Sequence, residues 1–208
     1  RPCRRSSPPS VSSRACSLAE RPPDEHLVVV LAALRDRASL EVRPVVEHGI
    51  VVDHLVFEEH LDAHDLAVFY NGLSHASKRT FRPLGQTTTR STCDEIVLDN
   101  MADRDTRMDL VAWHNGQIVG WCFIWELDSA APTFGLAVSD AYHGRGLGTR
   151  LMGAVMDWAK QQRLQQVDLT VVQDNLVAQH IYSRFGFVRT DEFTGDDGLR
   201  YWRMSARP

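Results

Sequence analysis

The sequence of 208 residues has few cysteines, no long apolar run and no excess of positive charge, and each of these absences argues against a class of protein. It contains only four cysteines, and their spacing includes no C-x-x-C pair, so free thiols in a reducing compartment such as the cytoplasm are expected. No apolar run reaches the roughly 18 residues of a membrane span, and no membrane helix is predicted. The net charge of −4 gives no basic surface for nucleic acid.

The composition divides the chain into two parts. The stretch 1–23 is rich in Arg, Ser and Pro and has no hydrophobic periodicity, so it is predicted to be disordered. Residues 1–38 are therefore predicted to form a disordered or weakly ordered extension. Residues 39–208 have ordinary apolar and charged fractions and are long enough for one domain with a real core.

The hydrophobic patterns of the second part predict an α/β fold. Antiparallel strands come first and a strand–helix–strand crossover follows them. The Asn-Gly pair at 115–116 is a strong signal for a tight hairpin turn. The predicted elements, in chain order, are a strand at Leu40–Val45, a helix within 52–74 that ends near Gly72, a hairpin over Asp109–Leu127, a strand at Thr133–Val138, an amphipathic helix at the glycine-rich stretch, a strand at Gln166–Val172, a helix from Asn175, and a last hairpin that pairs Phe187–Phe193 with Leu199–Ala206. The apolar stripe of the amphipathic helix consists of Leu147, Leu151, Met152, Val155, Trp158 and Ala159. A basic cluster of Lys78, Arg79 and Arg82 follows the first helix.

A glycine-rich stretch, "HGRGLG", stands between the strand at Thr133–Val138 and the helix that follows. The first N–H groups of a helix lack partners, and glycines let an anion approach them closely. The stretch therefore predicts a phosphate-binding loop. A P-loop is excluded because no Lys follows Gly148, and the dinucleotide fingerprint fails because Thr149 stands where its third glycine is needed.

Two segments together resemble the GCN5-related N-acetyltransferase (GNAT) superfamily. "HGRGLG", His143–Gly148, is similar to that family's acyl-CoA loop, Q/R-x-x-G-x-G/A, with His143 at a position that usually holds Gln or Arg. "DNLVAQHIYSRFGFVRT", Asp174–Thr190, is similar to its second signature, in which Asn, Ala and Tyr precede G-F. The resemblance covers about Leu40–Met204. It implies a mixed, mostly antiparallel central sheet flanked by helices, and acetyl-CoA as co-substrate.

The resemblance also implies which residues bind the cofactor. The backbone amides of the glycine loop would hold the pyrophosphate, and the main chain of Leu136 and Val138 would bind the pantetheine arm as an added strand does. Asn175 would bind pantetheine from the start of the last helix. The loop residues concerned are His143, Gly144, Arg145, Gly146, Leu147, Gly148 and Thr149.

The implied chemistry needs a general acid and a general base. Tyr182 is the candidate acid for the departing thiolate, and a half-buried core aromatic is the alternative interpretation. Glu126 is the candidate base through a water molecule, with Asp128 as a rival and a solvated strand end as the alternative. His60 and His64 have zinc-ligand spacing, but no third ligand is evident, so no metal site is predicted.

The sequence thus favours an N-acetyltransferase that moves an acetyl group from acetyl-CoA directly to an amine of a small molecule. Two other hypotheses stay open. One is transfer to a protein lysine or N-terminus, and the other is a non-catalytic, regulatory acyl-CoA-binding module. No nucleic-acid or membrane partner is expected, while the acceptor and the number of copies in any homo-oligomer are not determined.

Overall fold

The computed structural model describes residues 61–102 and 106–208 and, before them, the backbone of three short strands. These are β1 (Val46–Glu47), β2 (Ile50–Val51) and β3 (His54–Phe57). The other strands are β4 (Arg107–His114), β5 (Gln117–Trp125), β6 (Thr133–Val138), β7 (Val167–Val172), β8 (Val188–Thr194) and β9 (Arg200–Ala206). The helices are α1 (Ala63–Gly72), α2 (His75–Thr80), α3 (Arg90–Ala102), α4 (Leu147–Gln161) and α5 (Leu176–Arg184).

Seven strands form one mixed sheet in the order β3-β4-β5-β6-β7-β9-β8. All neighbours in this sheet are antiparallel except β6 and β7, which are parallel. A parallel pair needs a crossover connection, and α4 supplies it. The predicted mixed, mostly antiparallel sheet flanked by helices is confirmed, as are the hairpin around Asn115 and Gly116 and the last hairpin, β8–β9.

The two faces of the sheet bury separate apolar clusters, because successive side chains of a strand point to opposite faces. On β5, Cys122 and Ile124 belong to the cluster covered by α4, whereas Trp121 and Phe123 belong to the cluster covered by α1 and α3. The predicted apolar stripe of α4 is buried and stabilises the fold by about 1.5–3 kcal/mol for each large side chain. The stripe consists of Leu147, Leu151, Met152, Val155, Trp158 and Ala159.

The helix predicted within 52–74 is wrong in its first half. Backbone pairing with β4 places His54–Phe57 in a strand, and the helix begins only at Ala63. The Asp62 side chain accepts hydrogen bonds from the backbone N–H groups of His64 and Asp65, which fixes the helix start there. The predicted end near Gly72 is confirmed. The helix α3 has no counterpart among the predicted elements.

Several predictions lie outside the described residues: the extension 1–38 with its boundary, the strand at Leu40–Val45, and His60. Within the described residues, Cys93 and Cys122 are free and buried, and no group of three or more potential ligand side chains could hold a metal ion. No helix in that part of the chain combines the length and apolar character of a membrane span.

Gly135 on β6 gives a test of the packing between strand and aromatic cluster. A Cβ at this position would lie 2.3 Å from Cζ of Phe123, whose ring stacks on Trp125 at 3.8 Å and cannot easily move away. We therefore expect Gly135→Ala to lower the free energy of unfolding by about 1–3 kcal/mol in urea denaturation. Gly153→Ala is the control, because its Cβ would meet Phe185 at an ordinary 3.7 Å in α4. Equal effects of the two substitutions would contradict the expectation.

Candidate functional site

The parallel strands β6 and β7 pair at a single position. Thr133 is the register partner of Asp168, and the Asp168 N–H donates to the Pro132 carbonyl at 2.8 Å. The register of the described residues shows no further pairing between these strands, so they part toward the end of β6 at Val138. The sheet therefore contains a gap, called here the β6–β7 gap, which opens from Thr133 toward Val138.

One edge of the β6–β7 gap is lined by backbone groups of β6. The Ser139 N–H donates to the Val119 carbonyl at 2.9 Å, which makes Gly120 and Val138 a non-hydrogen-bonded pair of the β5–β6 ladder. Because such pairs alternate, Leu136 is also in a non-hydrogen-bonded pair. The N–H and C=O groups of Leu136 and Val138 consequently face away from β5, toward the gap, where an extended ligand could bind like an added strand.

The glycine loop follows the open end of this edge. Gly144 and Gly146 have φ of +71° and +79°, which residues with a Cβ rarely adopt. Gly146 is the N-cap of α4 and has no side chain to cap it, so the N–H groups of Leu147, Gly148 and Thr149 precede the first intrahelical bonds. These amides and the helix dipole provide the anion-binding arrangement that the sequence predicts.

The first turn of α4 lies directly against the open edge. A Cβ on Gly148 would lie 3.8 Å from the Leu136 side chain and 3.9 Å from that of Val138. The Leu147 side chain is buried in the core, so this residue can offer a ligand only its backbone. The structure thus brings the predicted loop and the two predicted strand residues together.

His143 forms a specific contact with the edge strand. Its Nε2 lies 2.8 Å from the Val138 carbonyl oxygen. Because a carbonyl oxygen only accepts, this nitrogen carries the proton and Nδ1 is the nitrogen left for a ligand. Arg145 lies nearby, with its guanidinium 5.8 Å from the centre of the Tyr142 ring. Both His143 and Arg145 are exposed beside the glycine loop.

Tyr182 lies on α5 and is buried against β6. Its ring meets Phe134 edge-on with centroids 6.0 Å apart, and it lies 6.0 Å from the Phe187 ring. Phe134 follows Thr133, so the phenol is anchored where the β6–β7 gap begins. Burial raises the pKa of the Tyr182 phenol well above its ordinary value, and the group stays protonated as a donor across the physiological range.

Asn175 has a structural role that the sequence interpretation did not include. It is the N-cap of α5, and its Oδ1 accepts a hydrogen bond from the Ala178 N–H at 3.2 Å. The carbonyl end of the side chain is therefore engaged with the helix. The amide Nδ2 is the part that the cap leaves for the predicted contact with pantetheine.

Glu126 lies at the other end of β6 from the glycine loop. It has φ of +61°, is exposed, and its carboxylate accepts a hydrogen bond from the Thr133 hydroxyl at 3.0 Å. Glu126 and Asp128 line an open cleft of about 420 Å³ beside α3. Five residue steps of ~3.3 Å separate Thr133 from Val138, so Glu126 is roughly 16 Å from the loop.

The helix α2 is tied to both sides of the β6–β7 gap, which the sequence did not predict. On the β6 side, Asp140 accepts hydrogen bonds from the Ser74 hydroxyl at 2.6 Å, the Ser74 N–H at 3.0 Å and the Ser77 hydroxyl at 2.8 Å. On the β7 side, the Arg79 guanidinium donates to both carboxylate oxygens of Asp174 at 3.0 and 2.7 Å. These contacts are called here the α2 ties.

A third contact of this region reaches the last hairpin. Arg82, just after α2, pairs with Asp197 in the turn between β8 and β9 and donates to the Tyr201 hydroxyl at 3.2 Å. The third member of the basic cluster differs. Lys78 is buried, and its ammonium donates to the Asn71 carbonyl at the end of α1 at 2.9 Å. The basic cluster seen in the sequence is thus used to hold elements together.

The parallel strands β6 and β7 separate, and α4 starts at a glycine beside their opening. This arrangement is that of an α/β acyl-CoA transferase. The model of the Acetyltransferase (GNAT) family matches residues 72–187, which is more than half of the chain. The chain therefore belongs to the GNAT acetyltransferase family, and the predicted resemblance is confirmed.

Similar proteins of known sequence cover part of the chain. The L-amino acid N-acetyltransferase AaaT of Escherichia coli is 29% identical over 99 residues, 45% of this chain and 61% of that protein. The ribosomal protein bS18-alanine N-acetyltransferase of Haemophilus influenzae is 28% identical over 93 residues, 45% of this chain and 62% of that protein. The matches thus span about three fifths of the length of these relatives.

Solved structures show the same fold at lower identity. A ribosomal-protein-alanine N-acetyltransferase from Brucella melitensis has a TM-score of 0.63 at 17% identity, covering 74% of this chain and 99% of that one. A spermidine N-acetyltransferase from Vibrio cholerae, in complex with CoA and spermine, has a TM-score of 0.61 at 16% identity and covers 74% and 94%. The fold class predicted from the sequence is confirmed.

Asp140 allows the α2 ties to be tested by pH. Burial opposes its ionisation, but the hydrogen bonds from Ser74 and Ser77 outweigh this and hold the pKa of Asp140 at about 2. Its folded-state pKa is below the unfolded one, so its contribution is complete above about pH 4 and is lost as the pH falls toward 2. We expect Asp140→Asn to cost about 1 kcal/mol at pH 7, because the carboxylate is exposed and screened.

The measurement is urea unfolding of both proteins at pH 7, 4 and 3. The difference between wild type and Asp140→Asn should shrink as the pH falls below 4. Asp157→Asn, on the exposed face of α4, is the control and should change stability little. A difference that is the same at all three pH values would show that the carboxylate charge does not stabilise α2.

Proposed function

We propose that this protein is an N-acetyltransferase that moves an acetyl group from acetyl-CoA directly to the amine of a small molecule. The observation that carries the proposal is the open backbone edge of β6, which starts near Tyr182 and ends at the glycine loop. Along a single extended cofactor, Tyr182 would face the sulfur, the β6 edge would bind the pantetheine arm, and the glycine loop would bind the pyrophosphate. Membership of the GNAT family supports the same assignment.

The cofactor would be held mainly by main-chain groups. The N–H groups of the glycine loop from Gly144 to Thr149 would bind the pyrophosphate, with Arg145 beside it. The N–H groups of Leu136 and Val138 and the carbonyl of Leu136 would pair with the amides of the pantetheine arm, while the Val138 carbonyl accepts from His143. The Asn175 amide would add a contact from the start of α5. This arrangement orients the thioester before the acceptor arrives, which lowers the entropic part of the barrier.

The reaction then needs one proton removed and one supplied. The acceptor nitrogen bonds to the carbonyl carbon of the thioester, the carbon–sulfur bond breaks, and the sulfur leaves with the electron pair. Tyr182 donates its phenol proton to that sulfur, giving the CoA thiol. The nitrogen loses a proton to water, and Glu126 is the proposed carboxylate for relaying it. A proton from solvent restores the phenol, so acetyl amide and free CoA are the products.

Transfer to a protein N-terminus is the second candidate. It is favoured by the Haemophilus influenzae and Brucella melitensis proteins, which are named for acetylating an alanine of a ribosomal protein. The two candidates predict different acceptors for the same cofactor site. The non-catalytic alternative predicts that acetyl-CoA binds and that no acceptor reacts.

The deciding experiment measures CoA release and product mass with three acceptor sets. These are small amines and amino acids, peptides with a free N-terminus, and peptides whose only free amine is a lysine side chain. Turnover confined to the first set supports the proposal, and turnover confined to either peptide set overturns the small-molecule part. Binding of acetyl-CoA without turnover in any set would support the non-catalytic module.

The role of Tyr182 is tested by Tyr182→Phe. Loss of the general acid should lower kcat by about 10²-fold, with little change in acetyl-CoA affinity, because the ring and its packing on Phe134 remain. Tyr142→Phe removes a hydroxyl from the surface turn before the glycine loop and is the control. An unchanged kcat in Tyr182→Phe would reduce Tyr182 to a packing residue.

The role of His143 is tested by substitution. Its Nε2 is engaged with the Val138 carbonyl, so only Nδ1 is left to face a pyrophosphate, whereas an arginine offers several N–H donors. His143→Arg should therefore tighten acetyl-CoA binding at pH 8, by on the order of 1 kcal/mol in this exposed loop. Isothermal titration of both proteins measures the change, and equal affinities would contradict the expectation.

A further inference from the structure

Gln179 is one of the few polar side chains that the described part of the chain buries. It lies on α5 with 6% of its surface exposed, and the structure gives it no place in the proposed chemistry. It precedes Tyr182 by three residues, so the two side chains lie on the same face of the helix in successive turns. Its burial is explained by what its amide contacts.

The amide of Gln179 joins three elements. Its Nε2 donates to the Gln173 carbonyl at 2.8 Å and, at 3.3 Å, to the carbonyl of Val172, the last residue of β7. Its Oε1 accepts from the Arg189 guanidinium on β8 at 2.7 Å. All three polar positions of the amide are thus used, between the end of β7, α5 and the outer strand β8.

These contacts fix the part of α5 that carries Tyr182. The Asn175 N–H donates to the Val172 carbonyl at 3.0 Å, which ties the start of α5 to β7, and the rings of Phe134 and Phe187 pack on Tyr182 itself. Gln179 adds hydrogen bonds on the turn of helix between these two points. Hydrogen bonds are directional, and the carbonyls that Gln179 contacts belong to the backbone at the end of β7. A single turn of α5 separates Gln179 from Tyr182, so fixing the Gln179 amide also fixes the phenol along the helix axis.

We propose that Gln179 is a positioning residue for Tyr182. By fixing α5 on the end of β7, it sets where the phenol hydroxyl stands relative to β6 and the sulfur of the bound thioester. The inference rests on the proposed function for its catalytic consequence. A displacement of the hydroxyl by about 1 Å is enough to change the rate by an order of magnitude or more.

The test is a double-mutant cycle with Gln179→Met, which keeps the length and loses the hydrogen bonds. In the wild-type background, kcat should fall about tenfold while KM for acetyl-CoA stays within twofold. In the Tyr182→Phe background, the same substitution should change kcat less than twofold, since no hydroxyl remains to be placed. Gln173→Met is the matched control, because its side-chain amide donates to Glu192 on β8 and its backbone carbonyl is kept.

A second readout does not depend on turnover. With 13C-labelled tyrosine, the Tyr182 ring signal should shift in Gln179→Met and stay in place in Gln173→Met. If Gln179→Met does not fold, Arg189→Met is the alternative variant, because it removes the donor to Gln179 Oε1 and lies at an exposed position. We expect it to lower kcat about threefold when Tyr182 is present and to have little effect in the Tyr182→Phe background.

Three results would overturn the inference: an equal loss of kcat in both backgrounds, which indicates a general structural role; no loss in either background; or an unmoved Tyr182 signal. Failure of the proposed function looks different. In that case no amine is acetylated by any variant, and the Tyr182 signal alone decides whether Gln179 positions the phenol.

Discussion

The structure depends on one constraint: β6 and β7 pair at Thr133 and Asp168 and then separate. Every backbone N–H and C=O group in a protein needs a partner, and parallel neighbours normally supply it. Here the separation leaves the backbone of Leu136 and Val138 facing a gap inside the sheet. An unpaired strand edge usually occurs at the border of a sheet, where it invites association with other chains. Here the edge lies inside the sheet, where it would suit the narrow, extended ligand that we propose.

Elements on both faces hold the gap at its width. On one face, the start of α4 rests on Leu136 and Val138, and α5 is fixed to the end of β7. On the other face, the α2 ties reach Asp140 after β6 and Asp174 after β7. Apolar packing rewards contact without regard to direction, so it does not by itself set the spacing of two strand ends. The polar contacts of α2 with Asp140 and Asp174 are directional, and they link the residues that follow β6 and β7.

The parts of the site that the sequence predicted are those coded by local patterns. Alternating glycines with positive φ, the Asn-Gly hairpin and the apolar stripe of α4 each have a physical signal within a few residues. The helix α3 escaped prediction because, among its described side chains, Cys93 and Ile96 are the buried ones, and its local signal was Thr89, whose hydroxyl accepts from the Thr92 N–H. The helix cap formed by Asn175 was not predicted, because a sequence motif identifies the residue but does not show that its Oδ1 is already hydrogen-bonded to the helix.

The open edge of β6 has a consequence for how such a protein can diverge. Main-chain amides are the same whatever side chain they carry, so a cofactor bound by the backbone as proposed would place almost no demand on the identity of Leu136 or Val138 beyond fitting beside Gly148. The side chains of that strand and the helices around it are then free to drift or to adapt to new acceptors. Two proteins built in this way could therefore have few side chains in common and still bind one ligand through the same backbone groups.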